Sequence, residues 1–247
     1  MKASDFVVKR RPHLRGIMDF PKVDMAIYQR RVAHMQDALR LVQQAYLGTH
    51  ERAVVVLEGW DTAGKGGVVR RLGWALDPRS FKVHAVAAPT AREKSLHYLQ
   101  RFWERLPEHG QIVVFDRSWY GRVLVERVEG YATPFEWQRA YAEINEFEDE
   151  LAGHGLLLIK FWLHITEDEQ YRRFKQREQI AYKSWKLTEE DWRNRAKGPA
   201  YKDAVNEMVE RTGTGDAPWT LVEGNDKNHA RIKVMRTVIE RLKERVG

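Results

Sequence analysis

The fold of this 247-residue chain is decided by the stretch GWDTAGK, residues 59–65. It has the form G-x-x-x-x-G-K and directly follows residues 53–57, a run of mostly β-branched apolar side chains that predicts a buried strand. A helix is predicted after the loop, through about Trp74. Such a loop aims backbone N–H groups and a helix N-terminus at one point, which favours a bound phosphate group over a chance glycine turn.

The loop supplies a first set of candidate phosphate-binding residues: Gly59, Thr62, Ala63, Gly64, Lys65, Gly66 and Gly67. Lys65 adds a mobile positive charge for the outer phosphates. A serine or threonine that ligates Mg²⁺ usually follows this lysine, and here Gly66 stands in its place. The loop instead carries a carboxylate, Asp61, which phosphate would repel unless a cation lay between them. We therefore expect Asp61 to face Mg²⁺, the alternative being a cap on the following helix at Gly64.

A second carboxylate is predicted close by. Residues 112–115 are apolar and lead into Asp116, the pattern in which a strand end holds an acid beside the metal. Asp116 also opens DRSWYGR at residues 116–122. Arg117 and Arg122 in this motif are candidate phosphate clamps, because a guanidinium group can bind two phosphate oxygens at once. The alternative for both arginines is ion pairing with one of two nearby acids, Glu126 or Glu129.

Strands and helices alternate along the rest of the chain. Further strands are predicted at residues 81–86, 112–115, 156–163 and 219–222. Helices are predicted at residues 23–47, 95–106, 134–151, 167–211 and 229–245. This alternation implies an α/β fold, a three-layer sandwich whose mostly parallel five-stranded sheet is covered on both faces. We expect a single domain over residues 1–247, in which residues 1–50 form an extension with a helix outside the main fold.

The composition excludes some classes of protein. Hydrophobic residues make up 43% of the chain, enough for a core, and the absence of cysteine excludes disulfides and thiolate metal sites. The nine histidines show no zinc-site spacing, and no segment has the apolar length of a signal peptide or a membrane span. We therefore expect a cytoplasmic protein with no membrane partner. A net charge of +7 favours a polyanionic partner, with a soluble basic surface as the alternative.

Two of these motifs give the sequence a resemblance to a known family. GWDTAGKGG at residues 59–67 and DRSWYGR at residues 116–122 closely resemble signatures of the polyphosphate kinase 2 family. The similarity extends through VLVERVEG at residues 123–130, APW at residues 217–219 and NDK at residues 225–227. It implies a thymidylate-kinase-like P-loop fold and Mg²⁺-dependent transfer of phosphate between inorganic polyphosphate and a nucleotide. By the same resemblance, the active-site positions are Asp61, Lys65, Asp116 and Arg117.

A basic helical segment is the third candidate feature. Between Arg172 and Lys186 lie six cations and one acid, Glu178. Nucleotide kinases close a basic lid of this kind over the transferring phosphate, the alternative being a solvated helix face. The resemblance places a helical lid at residues 167–200, where Arg173-Phe174-x-x-Arg177 matches the family pattern. The candidate phosphate-binding residues of this segment are Arg173, Lys183 and Lys186, and Arg177 is a candidate catalytic residue.

The expected reaction is an in-line phosphoryl transfer in which the protein positions groups and stabilises charge. Lys65, Arg117 and Arg177 would stabilise the charge on the transferring phosphoryl group. Mg²⁺ held near Asp61 and Asp116 would bridge donor and acceptor. The alternatives are an ATP-dependent nucleotide or metabolite kinase and a non-catalytic binder of nucleic acid or polyphosphate.

The nucleotide and the assembly state are expectations from the resemblance. Residues 121–130, 143–147 and 190–195 look more like the AMP-using branch of the family, so AMP is favoured as acceptor and ADP is the alternative. ATP and guanine nucleotides are further candidate substrates. The same likeness favours a homo-oligomer, either a dimer or a tetramer.

Overall fold

Five parallel strands form the sheet: β1 (Arg52–Gly59), β2 (Phe81–Ala85), β3 (Ile112–Asp116), β4 (Leu156–His164) and β5 (Trp219–Glu223). In the computed structural model, which describes residues 13–180 and 189–246, their order across the sheet is β2-β3-β1-β4-β5. The central strand β1 pairs in parallel with β3 on one side and with β4 on the other. The predicted α/β fold with a five-stranded parallel sheet is confirmed.

The helices of the described residues are α1 (Met25–Tyr46), α2 (Lys65–Ala75), α3 (Ala91–Lys94), α4 (Gln100–Trp103), α5 (Val125–Val128), α6 (Pro134–Gly153), α7 (Glu167–Glu178), α8 (Glu189–Ala196), α9 (Gly198–Thr212) and α10 (Lys227–Val246). Short 3-10 helices lie at Leu14–Gly16 and Trp119–Arg122. Among the described residues, no helix is both long and apolar enough to cross a membrane.

Two cores lie on opposite faces of the sheet. Along β1, successive side chains alternate between them: Val54 and Val56 belong to one core, and Val55 belongs to the other. The first core is completed by apolar residues of α6 and α9, and the second by those of α1, α2 and α10. Because both faces of β1 are covered, its residues read as a continuous apolar run rather than an alternating one.

The position of α1 differs from the prediction. We expected the helix at residues 23–47 to lie outside the main fold, but Leu39, Val42 and Tyr46 are buried in the second core together with residues of α2 and α10. The helix is capped by Asp24, whose carboxylate accepts a hydrogen bond from the backbone N–H of Ala26 at 2.8 Å. The apolar stripe of α1 therefore finds its partner within the same chain.

The predicted helix at residues 95–106 is wrong, since this range contains only the single turn α4, and another single turn, α3, ends just before it at Lys94. Thr90 caps the first turn through a reciprocal pair of hydrogen bonds with Glu93. The side chain of Ser95 then donates to the carbonyl of Arg92 at 2.8 Å, which competes with continuation of the helix. The second turn is closed by a short-range bond from the backbone N–H of Phe102 to the carbonyl of Leu99, and both of these side chains are buried.

A buried ion pair connects the sheet to α6. Lys160 of β4 is 0% exposed and donates from Nζ to Oε2 of Glu148 at 2.6 Å. It also donates to the hydroxyl of Tyr120 at 2.9 Å and to the carbonyl of Thr212 at 2.7 Å. Oε1 of Glu148 in turn accepts from Tyr120 and from the indole of Trp119. This network fixes the 3-10 helix that follows Asp116, and with it the orientation of one wall of the site described next.

Candidate active site

The glycine loop lies between the end of β1 and the start of α2. Gly59 is required at its first position, because a Cβ there would lie 2.6 Å from the carbonyl oxygen of Leu163. Gly64 has a φ of +114°, and Thr62 adopts the left-handed conformation with a φ of +64°, which side-chain-bearing residues rarely do. These conformations turn the chain tightly into α2. The N-terminus of that helix therefore opens onto the cavity in front of the loop.

Lys65 bends back over the loop. Its Nζ donates to the carbonyl of Gly59 at 2.7 Å and to that of Trp60 at 3.3 Å. Burial and the neighbouring guanidinium of Arg117 lower the pKa of Lys65, whereas the carboxylates of Asp61 and Asp116 raise it. The lysine thus lies between the loop and the carboxylates that the sequence singled out.

The strand ends bring the second motif to the same place. Leu57 of β1 and Asp116 of β3 are partners in the parallel ladder, so the end of β3 lies beside the start of the loop. Arg117 has a φ of +66°, and its backbone N–H donates to the carbonyl of Leu57 at 3.0 Å. A non-glycine residue rarely adopts this left-handed conformation, so contacts with the surrounding structure must hold the backbone of Arg117 in it.

Asp61 does not cap α2, the role that the sequence left open for it. Its Oδ1 accepts a hydrogen bond from Nη2 of Arg117 at 2.9 Å, and its Oδ2 accepts one from Nδ2 of Asn194 at 3.1 Å. Asp61 therefore joins three segments of the chain: the loop, the end of β3 and helix α8.

A basic cavity of about 640 Å³ opens in front of the loop. The loop from Asp61 to Gly67 lines it, together with Asp116 and Arg117. Eight cationic side chains in all contribute to its wall: Lys65, Arg70, Arg71, Arg117, Arg173, Arg177, Lys227 and Arg231. Burial and the charges of Arg173 and Arg231 lower the pKa of Lys227 to about 8. Positive charges that suppress one another's protonation in this way form a strong site for a polyanion.

A second cavity, of about 430 Å³, has a different chemistry. Trp60, Trp162, His164 and Tyr201 contribute rings to its wall, and Glu167 and Asp168 contribute acids. The indole of Trp60 donates from Nε1 to Nδ1 of His164 at 3.0 Å and meets Trp162 edge to face, with ring centroids 5.4 Å apart. Burial and the charge of Lys202 lower the pKa of His164 to about 4, so the ring is neutral near pH 7 and can accept this bond.

The two cavities meet at three residues. Asp61, Arg117 and Asn194 line both of them, and they are the residues joined by the hydrogen bonds to Asp61. The boundary therefore consists of one carboxylate, one guanidinium and one amide. A ligand in the basic cavity and a ligand in the aromatic cavity would have their ends close together at this point.

The structure brings most of the predicted site residues together. The loop residues from Thr62 to Gly67, Asp116, Arg117 and Arg177 all line the basic cavity, and Gly59 lines the aromatic one. The predicted phosphate-binding residues Lys183 and Lys186 lie outside the described residues.

Arg173 does not fit its predicted role in binding phosphate. Its Nε donates to Glu169, its Nη1 donates to the carbonyls of Thr62 and Ala63, and its Nη2 donates to those of Gly224 and Asn225. A guanidinium has five N–H groups, so these bonds engage all of them. Because its side chain is only 3% exposed, Arg173 acts as a brace that fixes the loop to α7 and to the end of β5.

Arg122 is also placed differently from its prediction. It pairs with Glu126, with Nε 3.2 Å from a carboxylate oxygen, and its guanidinium lies over the ring of Tyr98. It does not line either of the two cavities described above. The ion-pairing alternative that the sequence left open is thus the one adopted by Arg122, whereas Arg117 pairs with the loop residue Asp61.

Several site residues were not predicted from the sequence. Glu58 ends the apolar run of β1, is buried, and accepts a hydrogen bond from Ser118 at 2.9 Å; burial raises its pKa. Asn194 and Arg231 are two further site residues that the sequence analysis did not predict. Asn194 lies in residues 190–195, a segment whose sequence resembles the family. Nothing in the sequence indicated which residue of that segment faces the glycine loop.

The donor set fits Mg²⁺. Asp61 and Asp116 line the same cavity, and Mg²⁺ in phosphate-transfer sites is typically bound by one or two carboxylates together with substrate phosphates. Oγ1 of Thr62 is buried in the loop without a hydrogen-bond partner among the described residues. Residues 13–180 and 189–246 contain no cluster of three or more potential metal-ligating side chains, so a site complete without substrate is not found in them.

A parallel sheet with a glycine loop, a loop lysine and a strand-end carboxylate around a basic cavity defines a protein of the P-loop kinase fold. A sequence model of the family described as Polyphosphate kinase 2 matches residues 22–246. The chain belongs to this family. A crystal structure of Polyphosphate Kinase 2 from Arthrobacter aurescens TC1 superposes with a TM-score of 0.93 at 34% identity, covering 99% of this chain and 90% of that one.

Two curated relatives illustrate the similarity. The chain is 48% identical to a Polyphosphate:AMP phosphotransferase of Pseudomonas aeruginosa over 93% of its own length and 49% of the relative's length. It is 38% identical to NDP-polyphosphate phosphotransferase 1 of Ruegeria pomeroyi, over 89% and 72%. The chain thus spans about half the length of the first of these relatives.

Proposed function

We propose that this protein transfers a phosphoryl group between inorganic polyphosphate and a nucleotide. The observation that carries the proposal is the meeting of a basic cavity and an aromatic cavity at Asp61, Arg117 and Asn194. Family membership supports the same reaction, because the matched relatives are named for phosphate transfer between polyphosphate and nucleotides.

Polyphosphate is assigned to the basic cavity. A chain with a negative charge on each phosphate needs several cations along its length, and Arg70, Arg71, Lys227 and Arg231 extend the positive lining beyond the loop. The aromatic cavity suits the same polyanion less well, because its four acids, Glu167 and Asp168 among them, outnumber the three cations of its wall, Arg117, Arg195 and Lys202.

The nucleoside is assigned to the aromatic cavity. Trp60, Trp162 and Tyr201 offer ring surface for a base, and Glu167 and Asp168 offer oxygens that can accept hydrogen bonds from hydroxyl or amino groups. The phosphate of the nucleotide then points to the boundary residues Asp61, Arg117 and Asn194. This arrangement sets the two phosphate groups end to end, as in-line transfer requires.

The protein's part in the transfer is to position groups and to stabilise charge. Lys65 and Arg117 lie where the phosphates meet, and Arg177 of α7 faces the same cavity. We assign Asp61 and Asp116 to hold Mg²⁺, which supplies charge neutralisation between donor and acceptor oxygens. Residues 167–200 serve as the lid in this proposal, since they contribute Arg177 to one cavity and Asn194 to both.

AMP is the proposed acceptor. The AMP-named relative is 48% identical to this chain, compared with 38% for the NDP-named one. Initial rates with polyphosphate and either AMP or ADP at equal concentrations test the choice. A kcat/KM for ADP more than about tenfold that for AMP, roughly 1.4 kcal/mol of transition-state preference, would overturn it.

A coupled assay tests the function itself. Purified protein is incubated with polyphosphate and AMP, ADP or ATP in the presence of Mg²⁺, and formation of the nucleotide with one phosphate more or fewer is measured. Transfer only with ATP as donor, to a nucleotide or metabolite, would favour the ATP-dependent kinase instead. Polyphosphate binding without any transfer would favour the non-catalytic binder.

We also propose that the protein assembles as a dimer or a tetramer, on the strength of its family resemblance. Light scattering at micromolar concentration is the direct measurement. A single species with the 29.0 kDa mass of one chain would contradict it.

A further inference from the structure

Tyr28 of α1 contacts two arginines of the basic cavity. Its hydroxyl oxygen accepts a hydrogen bond from Nε of Arg71 at 3.1 Å and lies 3.5 Å from Nη1 of Arg231, which also donates to it. The guanidinium carbon of Arg231 is 5.8 Å from the centroid of the tyrosine ring. Tyr28 is buried, with 7% of its surface exposed. One side chain therefore engages both cations, through its oxygen and through its ring face.

Arg71 and Arg231 need such a group because they are like charges held side by side. Arg71 also donates from Nη1 to the carbonyl of Gly67 at 3.3 Å, and a Cβ on Gly67 would lie 3.4 Å from Nη2 of Arg231. Both guanidinium groups are thus held close against the first turn of α2. A hydroxyl oxygen with two acceptor sites offsets part of their repulsion and restricts their rotamers.

The tyrosine is itself held firmly in place. Leu39 and Val42 on the same helix are buried in the core shared with α2 and α10. The chain before α1 is attached to α10 as well, because Nδ2 of Asn228 donates to the carbonyl of Val23 at 3.3 Å. Since α2 carries Arg71 and α10 carries Arg231, α1 contacts both of the elements that supply the arginines.

We infer that Tyr28 is a positioning residue for polyphosphate, holding Arg71 and Arg231 where they bind the part of the chain beyond the phosphate that is transferred. The inference rests on the proposed function. It makes α1 a component of the polyphosphate site rather than an extension of the domain. Pre-orienting the two side chains lowers the entropy lost when the polyanion binds, so the effect is on affinity and not on the chemical step.

The test is Tyr28→Phe, which keeps the ring and removes the hydroxyl. We expect KM for long-chain polyphosphate to rise about tenfold, equivalent to 1.4 kcal/mol, with kcat changed less than about twofold and the nucleotide KM unchanged. The matched control is Tyr46→Phe, which removes a buried hydroxyl from the same helix. That hydroxyl has no hydrogen-bond partner among the described residues, so the control should behave as the parent protein.

A mutant cycle shows whether the tyrosine acts through its two arginines. In a background with both Arg71→Met and Arg231→Met, Tyr28→Phe should raise KM for polyphosphate by less than about twofold, because both groups that it positions are gone. A full effect of Tyr28→Phe in that background, or a parental KM in Tyr28→Phe alone, would overturn the inference. A proportional loss of kcat and of melting temperature in Tyr28→Phe would show a structural role and overturn it too.

Equilibrium binding of polyphosphate, measured by calorimetry without nucleotide, separates this inference from the proposed function. If the parent protein transfers no phosphate, the proposed function fails, and weaker polyphosphate binding by Tyr28→Phe than by Tyr46→Phe still supports the role of Tyr28. If the parent protein transfers phosphate and both variants bind polyphosphate equally well, only the inference fails.

Discussion

Arg117 donates a hydrogen bond from Nη2 to Oδ1 of Asp61 at 2.9 Å, and this bond joins the end of β3 to the glycine loop. The carboxylate is 13% exposed and the guanidinium 48%, so the arginine is the partner that can move away at little cost. If Asp61 holds Mg²⁺, the metal and Arg117 compete for the same carboxylate oxygens.

Asp61→Asn tests the metal assignment. The amide keeps the size of the side chain and removes its charge, so we expect the Mg²⁺ concentration for half-maximal activity to rise several-fold, or activity to be lost. The measurement is a Mg²⁺ titration at fixed substrate concentrations. Asp77→Asn is the control, because Asp77 pairs with Arg79 at the surface, away from both cavities. An unchanged titration in Asp61→Asn would remove Asp61 from the metal site.

Lys65→Ala and Asp116→Asn test the charge stabilisation. In the proposed reaction both side chains act on charge that develops during transfer, so each change should lower kcat by a factor of about a hundred or more while the circular dichroism spectrum is retained. Lys94→Ala removes an exposed lysine of α3 and should leave kcat unchanged. More than about a tenth of the parental kcat in either site variant would show that its role is wrongly assigned.

Arg177 and Arg173 lie four residues apart on α7 and should respond in opposite ways. Arg177→Gln is expected to weaken polyphosphate binding and to reduce the slope of log affinity against log salt by about one, by analogy with nucleic acids. Arg173→Gln should instead lower the free energy of unfolding by about 3 kcal/mol, since it leaves buried carbonyls without donors. Calorimetry at several salt concentrations and urea unfolding measure the two effects. If Arg173→Gln were as stable as the parent protein but bound polyphosphate with a weaker salt dependence, Arg173 would be the phosphate-binding residue and the assignment of these two arginines would be wrong.

His164 makes stability depend on pH. Its pKa is lowered in the folded protein from 6.5 to about 4, mainly by burial, so as the pH falls through this range the unfolded chain binds a proton that the folded one does not. The folded state therefore loses stability on acidification, by about 1 kcal/mol between about pH 7 and about pH 5 once partial exposure is allowed for. Urea unfolding of the parent and of His164→Gln at the two pH values measures this loss.

The glutamine variant keeps an acceptor for the indole of Trp60 but has no proton to gain, so its stability should fall less on acidification. His34→Gln, which changes an exposed histidine of α1, should retain the parental pH dependence. The same decrease in all three proteins would exclude His164 as the source.

The strands and the loop could be predicted because each is encoded by neighbouring residues. The predicted strand at residues 156–163 differs from β4 by a single residue at its end, since a continuous apolar run needs only its local sequence to be recognised. The helix at residues 95–106 was wrong because local side-chain bonds, such as that of Ser95 to the backbone, outweighed an apolar spacing that suited a helix.

Site residues that belong to one continuous motif could be predicted from the sequence. Site residues that the fold brings together from distant parts of the chain could not. Asp61 lies just beyond the end of β1 and Asp116 ends β3, so parallel pairing of these strands alone predicts that both lie at the same edge of the sheet. Asn194 lies 133 positions from Asp61 along the chain, and Tyr28 lies 203 from Arg231. Contacts over such distances depend on how α1, α8 and α10 pack, which the spacing of apolar residues within one helix does not determine.

The buried pair of Lys160 and Glu148 has a consequence for how sequences of this fold can change. Replacing one partner alone leaves an isolated charge in the core and costs about 3–5 kcal/mol, a large part of the stability of a typical domain. Replacing both by apolar residues avoids the isolated charge but leaves the indole of Trp119 and the carbonyl of Thr212 without these buried partners, and the double variant is reached mainly through an intermediate that barely folds. These two positions should therefore vary together or not at all among functional descendants, and a library randomised at either one alone should return almost only the parental residue.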